Sequence, residues 1–239
     1  MHALITLSHG SRNPRAKRGI EVLTGEAGAL LGVPAADAHL EFDTPTLEAA
    51  ARELARAGHT SATVVPLLFT RAFHATVDVP EAVDKAHAHL DLTLAEGLGT
   101  GEDIARILEM RVLLDAEPNS HVVLYPVGTS NPEQTRAYEE LAERLAGRLQ
   151  HGAAGVSVVS ATRGGIEALR EIAQVHERMH LLPLFVTHGT LLDKAYDALP
   201  LLAAETGAHI THSAPLLTSL APVVAERYKS ATSLIKEAS

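Results

Sequence analysis

Cysteine is absent from this chain. That excludes disulfides, thiolate metal sites and a cysteine nucleophile, and it fits a reducing compartment. Tryptophan is absent too, and aromatic residues make up only 3% of the 239 residues, while hydrophobic residues make up 46%. Any core must therefore be aliphatic. No apolar run approaches the ~18 residues needed to span a bilayer, and the N-terminal "MHALITLSHGSRN" lacks a basic n-region and a cleavage pattern. These absences lead us to expect a cytoplasmic protein with no membrane partner. Positive charge is also scarce: the formal net charge is −9. A chain this acidic is a poor general binder of nucleic acid. The exception is a local basic cluster, Arg12, Arg15, Lys17 and Arg18, ahead of the first acidic residue, Glu21.

What is present is alternation. Strand-length apolar runs at 2–8, 36–42, 61–69 and 91–95 are separated by helical patterns at 14–31, 45–57, 79–89 and 101–115. Asn13 and Pro14 open the first helix; Asp43 or Thr44 caps the second, with Pro45 opening it. The plan then recurs, with strands at 120–126, 155–160, 180–186 and 208–212. The helices between and after them begin at Pro132, behind Asn131 as cap, and run over 164–178, 190–206 and 216–235. Such β–α alternation predicts parallel sheets flanked by helices.

The recurrence shows in letters as well. "GSRNP" at 10–14 answers "GTSNP" at 128–132, and "VVPLLFT" at 64–70 answers "LLPLFVT" at 181–187. We read a duplicated α/β unit: two similar lobes, 1–118 and 119–239, with a cleft between them. A duplicated chain does internally what a dimer of half-length chains would do, so a monomer is expected, with a homodimer as the alternative.

In parallel sheets ligands bind beyond the carboxyl ends of the strands. In the first lobe those ends carry His9, Glu41 and His74, each from a different strand. Two imidazoles and a carboxylate suffice for a divalent metal with an open coordination position. Taken singly, His9 reads as a turn residue, Glu41 as a solvent-facing strand residue and His74 as a helix cap. The second lobe supplies a control. At matching offsets the three become Val127, Ser160 and Leu191, while the surrounding scaffold motifs persist. Residues needed only for the fold would be expected in both copies. His188, at the matching strand end of the second lobe, is a further candidate for substrate or metal. Ser11, ahead of a helix N-terminus, with Arg12 beside it, suits an anion. No P-loop lysine and no G-x-G-x-x-G supports nucleotide binding, and "GLGTGED" at 97–103 reads as a loop.

The segments "LSHGSRNPRA", "HLEFDTPTLEAA" and "VVPLLFTRAFHATVDVPEAV" resemble, in order and spacing, the signature segments of the sirohydrochlorin chelatases, the class II chelatases of sirohaem and cobalamin synthesis. "LLPLFVTHGTLLDKA" is similar to the second-half segment of their long, duplicated members. Arg71-Ala72-Phe73 departs from the glycines that often precede the second histidine there. The resemblance implies a lyase that inserts Fe2+ or Co2+ into the tetrapyrrole sirohydrochlorin without ATP or an organic cofactor. It implies His9 and His74 as the metal-handling histidines, with Glu41 as the nearby acid, and a degenerate second lobe. Ser11, Arg12, Arg71 and His188 are the candidate holders of substrate, which carries eight carboxylates. The alternative is a non-catalytic, two-lobed metal or tetrapyrrole carrier.

Overall fold

The computed structural model describes residues 2–70, 78–149 and 152–238. The chain forms two compact units. The first comprises residues 1–99 and 217–239, the second residues 100–216.

In the first unit the strands are β1 (His2–Ser8), β2 (Ala35–His39), β3 (Ser61–Pro66) and β4 (Asp91–Leu94), all parallel, in the order β2-β1-β3-β4. The helices α1 (Pro14–Leu31), α2 (Leu47–Arg56) and α3 (Val79–Ala86) connect them. The chain leaves β1 towards one edge of the sheet and, after β2, crosses back over β1 to reach β3. The loops after β1 and β3 therefore diverge, and this topological switch point is where an open parallel sheet offers a crevice. A core of Ile5, Leu7, Val64, Leu47, Leu54 and Val83 fills one face of the sheet. The central strands β1 and β3 are buried along nearly their whole length, as expected for a parallel sheet with both faces covered.

The second unit repeats the plan with β5 (Ser120–Pro126), β6 (Ala153–Val158), β7 (Arg178–Leu184) and β8 (His209–His212), in the order β6-β5-β7-β8. Here α5 (Pro132–Arg148), α6 (Gly165–Val175) and α7 (Thr190–Thr206) are the connecting helices. The letter match between the halves is a true structural equivalence. Pro66 pairs with Leu7 in the first sheet, and Pro183 pairs with Tyr125 in the second.

The compact units are nevertheless not 1–118 and 119–239. The helix α4 (Glu102–Asp115) follows β4 in the chain but packs on α5 and β7 of the second unit. There it buries Ile104, Ala105, Leu108 and Val112, and Arg148 of α5 pairs with its Glu102 and Glu109. The terminal helix α8 (Ala221–Ala238), entered through a 3-10 turn at Leu217–Leu220, packs instead on α1 and β3 of the first unit. From α8, the Arg227 guanidinium donates to the carbonyls of Gly97 (3.0 Å) and Leu98 (2.7 Å). The sequence repeat and the packing unit thus differ by one helix at each end.

Two local expectations are also corrected. The strand β2 ends at His39, so Glu41 lies in the turn beyond it rather than within a strand reaching residue 42. The cap of α2 is neither Asp43 nor Thr44: Thr46 accepts the Ala49 N–H at 3.3 Å, and the helix begins at Leu47. Asp43 is engaged elsewhere.

Candidate active site

The site candidates of the first unit follow from how β1 ends. After Ser8 the backbone turns through Gly10, whose φ of +90° only glycine adopts without strain. A Cβ there would also stand 1.7 Å from the Glu41 carbonyl oxygen. The turn can therefore lie flat against residues 40–43, and the two segments continue the β1–β2 ladder past the strands. The Leu40 N–H donates to the Ser8 carbonyl, and the Glu41 N–H to the His9 carbonyl, both at 2.9 Å.

A buried polar chain supports this turn from below. The Gly10 N–H donates to Ser8 Oγ (3.2 Å), Ser8 Oγ bonds His39 Nδ1 (2.7 Å), and His39 Nε2 bonds Asp37 Oδ2 (3.1 Å). In the neutral ring, Nε2 must donate to the carboxylate, so Nδ1 accepts from the Ser8 hydroxyl. The serine is 7% exposed and already accepts from Gly10, so it is a structural hydroxyl and not a nucleophile, despite the Ser/His/Asp composition.

His9 is half-buried at the end of this turn, directly past the switch-point strand. Its ring meets Phe42 edge-on, with centroids 5.7 Å apart at 85°. On the Phe42 ring lies the Arg12 guanidinium, 4.9 Å from the centroid. Glu41 joins His9 through the backbone, while its side chain is exposed. Ser11 is placed differently from the expectation. Its N–H donates to Asp43 Oδ2 (3.1 Å), and its hydroxyl accepts from the Asn13 N–H (3.1 Å). Asn13 in turn accepts from the Arg15 N–H. A carboxylate of the protein itself thus occupies the backbone position where an external anion was expected. His74 and Arg71 lie outside the described residues. Among the described residues, no group of three or more histidine, aspartate or glutamate side chains is placed to hold a metal.

A pocket of ≈ 320 Å³ opens at the carboxyl ends of β3 and β4, lined by Pro66, Phe69, Thr70, Val79, Glu96 and Gly97 among others. Part of its wall is Gly97, whose carbonyl Arg227 holds.

In the second unit the corresponding turn carries Val127, which is 40% exposed, where the first carries His9. The ladder refines the comparison of the two lobes. The Thr162 N–H donates to the Val127 carbonyl as the Glu41 N–H does to that of His9. Glu41 therefore corresponds to Thr162 and not to Ser160. His188 lies just before α7 and is partly buried, at the strand end that matches position 71.

Sequence reasoning missed His39, Phe42 and the stacked pair His121–His176 (3.9 Å, 11°). For His39 a signal existed, namely a histidine at the end of a strand beside a strand ending in serine. For Phe42 none existed, because its conformation is set by the turn.

The comparisons with known proteins bear on this geometry. Residues 3–113 match the CbiX family. The chain is 25% identical over 214 residues to a sirohydrochlorin ferrochelatase of Priestia megaterium, covering 86% of this chain and 80% of that protein. It is 37% identical over 73 residues to a sirohydrochlorin cobaltochelatase of Sulfurisphaera tokodaii, covering 30% of this chain and 60% of that one. Among solved structures, SirB from Bacillus subtilis with Fe3+ superposes with a TM-score of 0.80 at 20% identity, covering 99% of this chain and 97% of that one. The two parallel sheets and these matches agree: over residues 3–113 the chain matches the CbiX family, and across most of its length it is similar to a sirohydrochlorin ferrochelatase.

Proposed function

We propose that the chain is a sirohydrochlorin metal chelatase, a lyase that exchanges the two inner N–H protons of the macrocycle for Fe2+ or Co2+ without ATP. The observation that carries the reading is the position of His9 at the switch point, in the segment that matches the family. Insertion requires an ion stripped of part of its water and a base for two protons. A neutral imidazole does both near neutral pH, and it binds weakly enough to release the ion to four nitrogens. His9 takes this role in the first lobe, with His74 assigned to it by the sequence pattern. Glu41, exposed one backbone bond from His9, is the acid that receives a proton or holds the incoming ion. The second lobe, with Val127 and Thr162 in these places, has no such chemistry.

Arg12 and Arg71 are assigned to carboxylates of the macrocycle; in an acidic chain, local cations are needed to hold such a substrate. Ser11 contributes its hydroxyl at most, since Asp43 takes its N–H. His188 is assigned to substrate from the second unit. Metal choice is left open by imidazole and carboxylate donors, which take iron and cobalt alike. On this reading the enzyme works in the cytoplasm as a monomer.

The test is anaerobic incubation of the protein with sirohydrochlorin and Fe2+, Co2+ or Ni2+, followed by visible absorbance. Initial rates well above the metal-only control are expected with iron or cobalt. Rates equal to the control, with tight binding of the macrocycle, would establish a carrier instead.

A further inference from the structure

Phe42 is an exposed aromatic residue in a backbone conformation that aromatic residues avoid. Its φ is +63°, and the residue is 54% exposed. The Asp43 N–H donates to the Glu41 carbonyl at 2.7 Å, closing a three-residue turn with Phe42 at its apex. A turn of this kind with positive φ is rare and strained, and glycine, asparagine or aspartate is its usual occupant. The strain is not offset by burial, because the ring stays in solvent. It is maintained by bonds on both flanks: Glu41 to the His9 carbonyl on one side, and the Asp43 carboxylate to the Ser11 N–H on the other. The effect is to set one ring between two residues of the site, with the His9 imidazole edge-on and the Arg12 guanidinium over it.

We propose that Phe42 is a positioning residue: its ring holds the carboxylate-binding Arg12 and the metal-handling His9 at one fixed spacing, so that the macrocycle and the ion are presented in register. The inference rests on the chelatase reading for the roles of those two residues. Arg12 is otherwise an exposed, flexible side chain, and a guanidinium already held against a ring loses less freedom when it meets a carboxylate. The strained backbone is the cost of aiming the ring at both neighbours.

The experiment compares Phe42→Ala, Phe42→Gly, Phe42→Leu and Phe42→Tyr. It measures sirohydrochlorin affinity by absorbance titration without metal, steady-state kcat and KM with Co2+, and Tm. Alanine and glycine both remove the ring, but only glycine relaxes the turn. Both are expected to weaken macrocycle binding and raise KM about five- to tenfold, with glycine melting no lower than alanine. Tyrosine restores affinity to within twofold; leucine, which fills space without a π face, does not. Wild-type affinity and KM in Phe42→Ala, or full rescue by leucine, overturns the proposal. Failure of the unaltered chain to bind sirohydrochlorin overturns it as well. Binding without turnover overturns the chelatase reading alone, since the affinity series still decides the role of Phe42.

Discussion

Ser8 Oγ and His39 Nδ1 lie 2.7 Å apart, both buried, at adjacent strand ends. The bond is the middle link of a chain that begins at the Asp37 carboxylate and ends at the Gly10 N–H. It ties the edge strand to the turn that carries His9. His39→Leu strands the Ser8 hydroxyl and the Asp37 carboxylate together. We expect a loss of about 2–3 kcal/mol in urea-unfolding free energy and a fall in insertion rate larger than the loss of folded protein explains. Equilibrium unfolding with rates per folded molecule checks both.

His9 itself makes a smaller demand on the fold. It is half-buried and ends a turn whose backbone bonds do not depend on its ring. His9→Ala is expected to lower the insertion rate by about 100-fold, in the range removed with a general base, while Tm shifts by only a few degrees. His74→Ala should behave alike. If His188→Ala were the only harmful change of the three, the chemistry would belong to the second unit.

Acid should weaken the second unit first. Burial, with the charge of His176 as a second cause, lowers the His121 pKa to about 4. Burial lowers that of His180 to about 4 as well, with Asp115 opposing and His212 adding to the shift. Both are bases whose folded pKa lies below the unfolded value of 6.5, so between about 6.5 and 4 the unfolded chain binds more protons. Their neutral forms favour folding in full above pH 6.5, and that advantage is lost as pH falls. At pH 5 the loss is about 2 kcal/mol for the buried His180 and smaller for the half-buried His121, whose charge solvent screens. Urea midpoints at pH 7.5 and pH 5 measure it, and His121→Gln should reduce the difference.

Metal should leave the fold unchanged. An ion carried as substrate, without a closed set of protein ligands, contributes no folding free energy of the kind a structural site supplies. Chelator treatment is therefore expected to shift Tm by less than about 1 °C, and the treated protein should regain full activity when Co2+ is added back.

Arg227 offers a test of the terminal helix. Its two bonds to the carbonyls of residues 97 and 98 involve an ionised donor, worth roughly 1.5–3 kcal/mol each when buried. Arg227→Ala should destabilise the first unit by about 2 kcal/mol in urea unfolding and alter the pocket wall beside β4. A circular-dichroism melt with limited proteolysis near residue 97 would show both effects.

Much of the fold was legible because the chain obeys local rules. The bounds of α1, β5 and α7 coincide with caps, prolines and apolar periods that stand in the letters themselves. The equivalence of Pro66 and Pro183 could be read from "PLLFT" against "PLFVT". What could not be read was partnership. The apolar face of α4 states that the helix is covered, but not by which sheet, and α8 carries the same ambiguity. The site divides in the same way. His9 and its glycine turn were visible, since a glycine at a strand end announces a tight approach. The partner of the Ser11 N–H is not legible in the letters, because Asp43 lies 32 positions away and suits a helix cap equally well. Phe42 was invisible because φ is a property of the turn and not of the residue.

The exchange of α4 and α8 also sets an order of events during synthesis. The second unit is one continuous stretch, residues 100–216, and all of it is synthesised before α8. The first unit, though translated first, lacks its covering helix until α8 emerges. Its α1 and β3 surfaces and the 97–98 segment wait for Arg227 and the rest of α8 through the synthesis of more than a hundred residues. Completion therefore runs from the later unit to the earlier one, the reverse of the usual N-to-C sequence of domain folding, and the half that carries His9 becomes whole only once α8 has emerged.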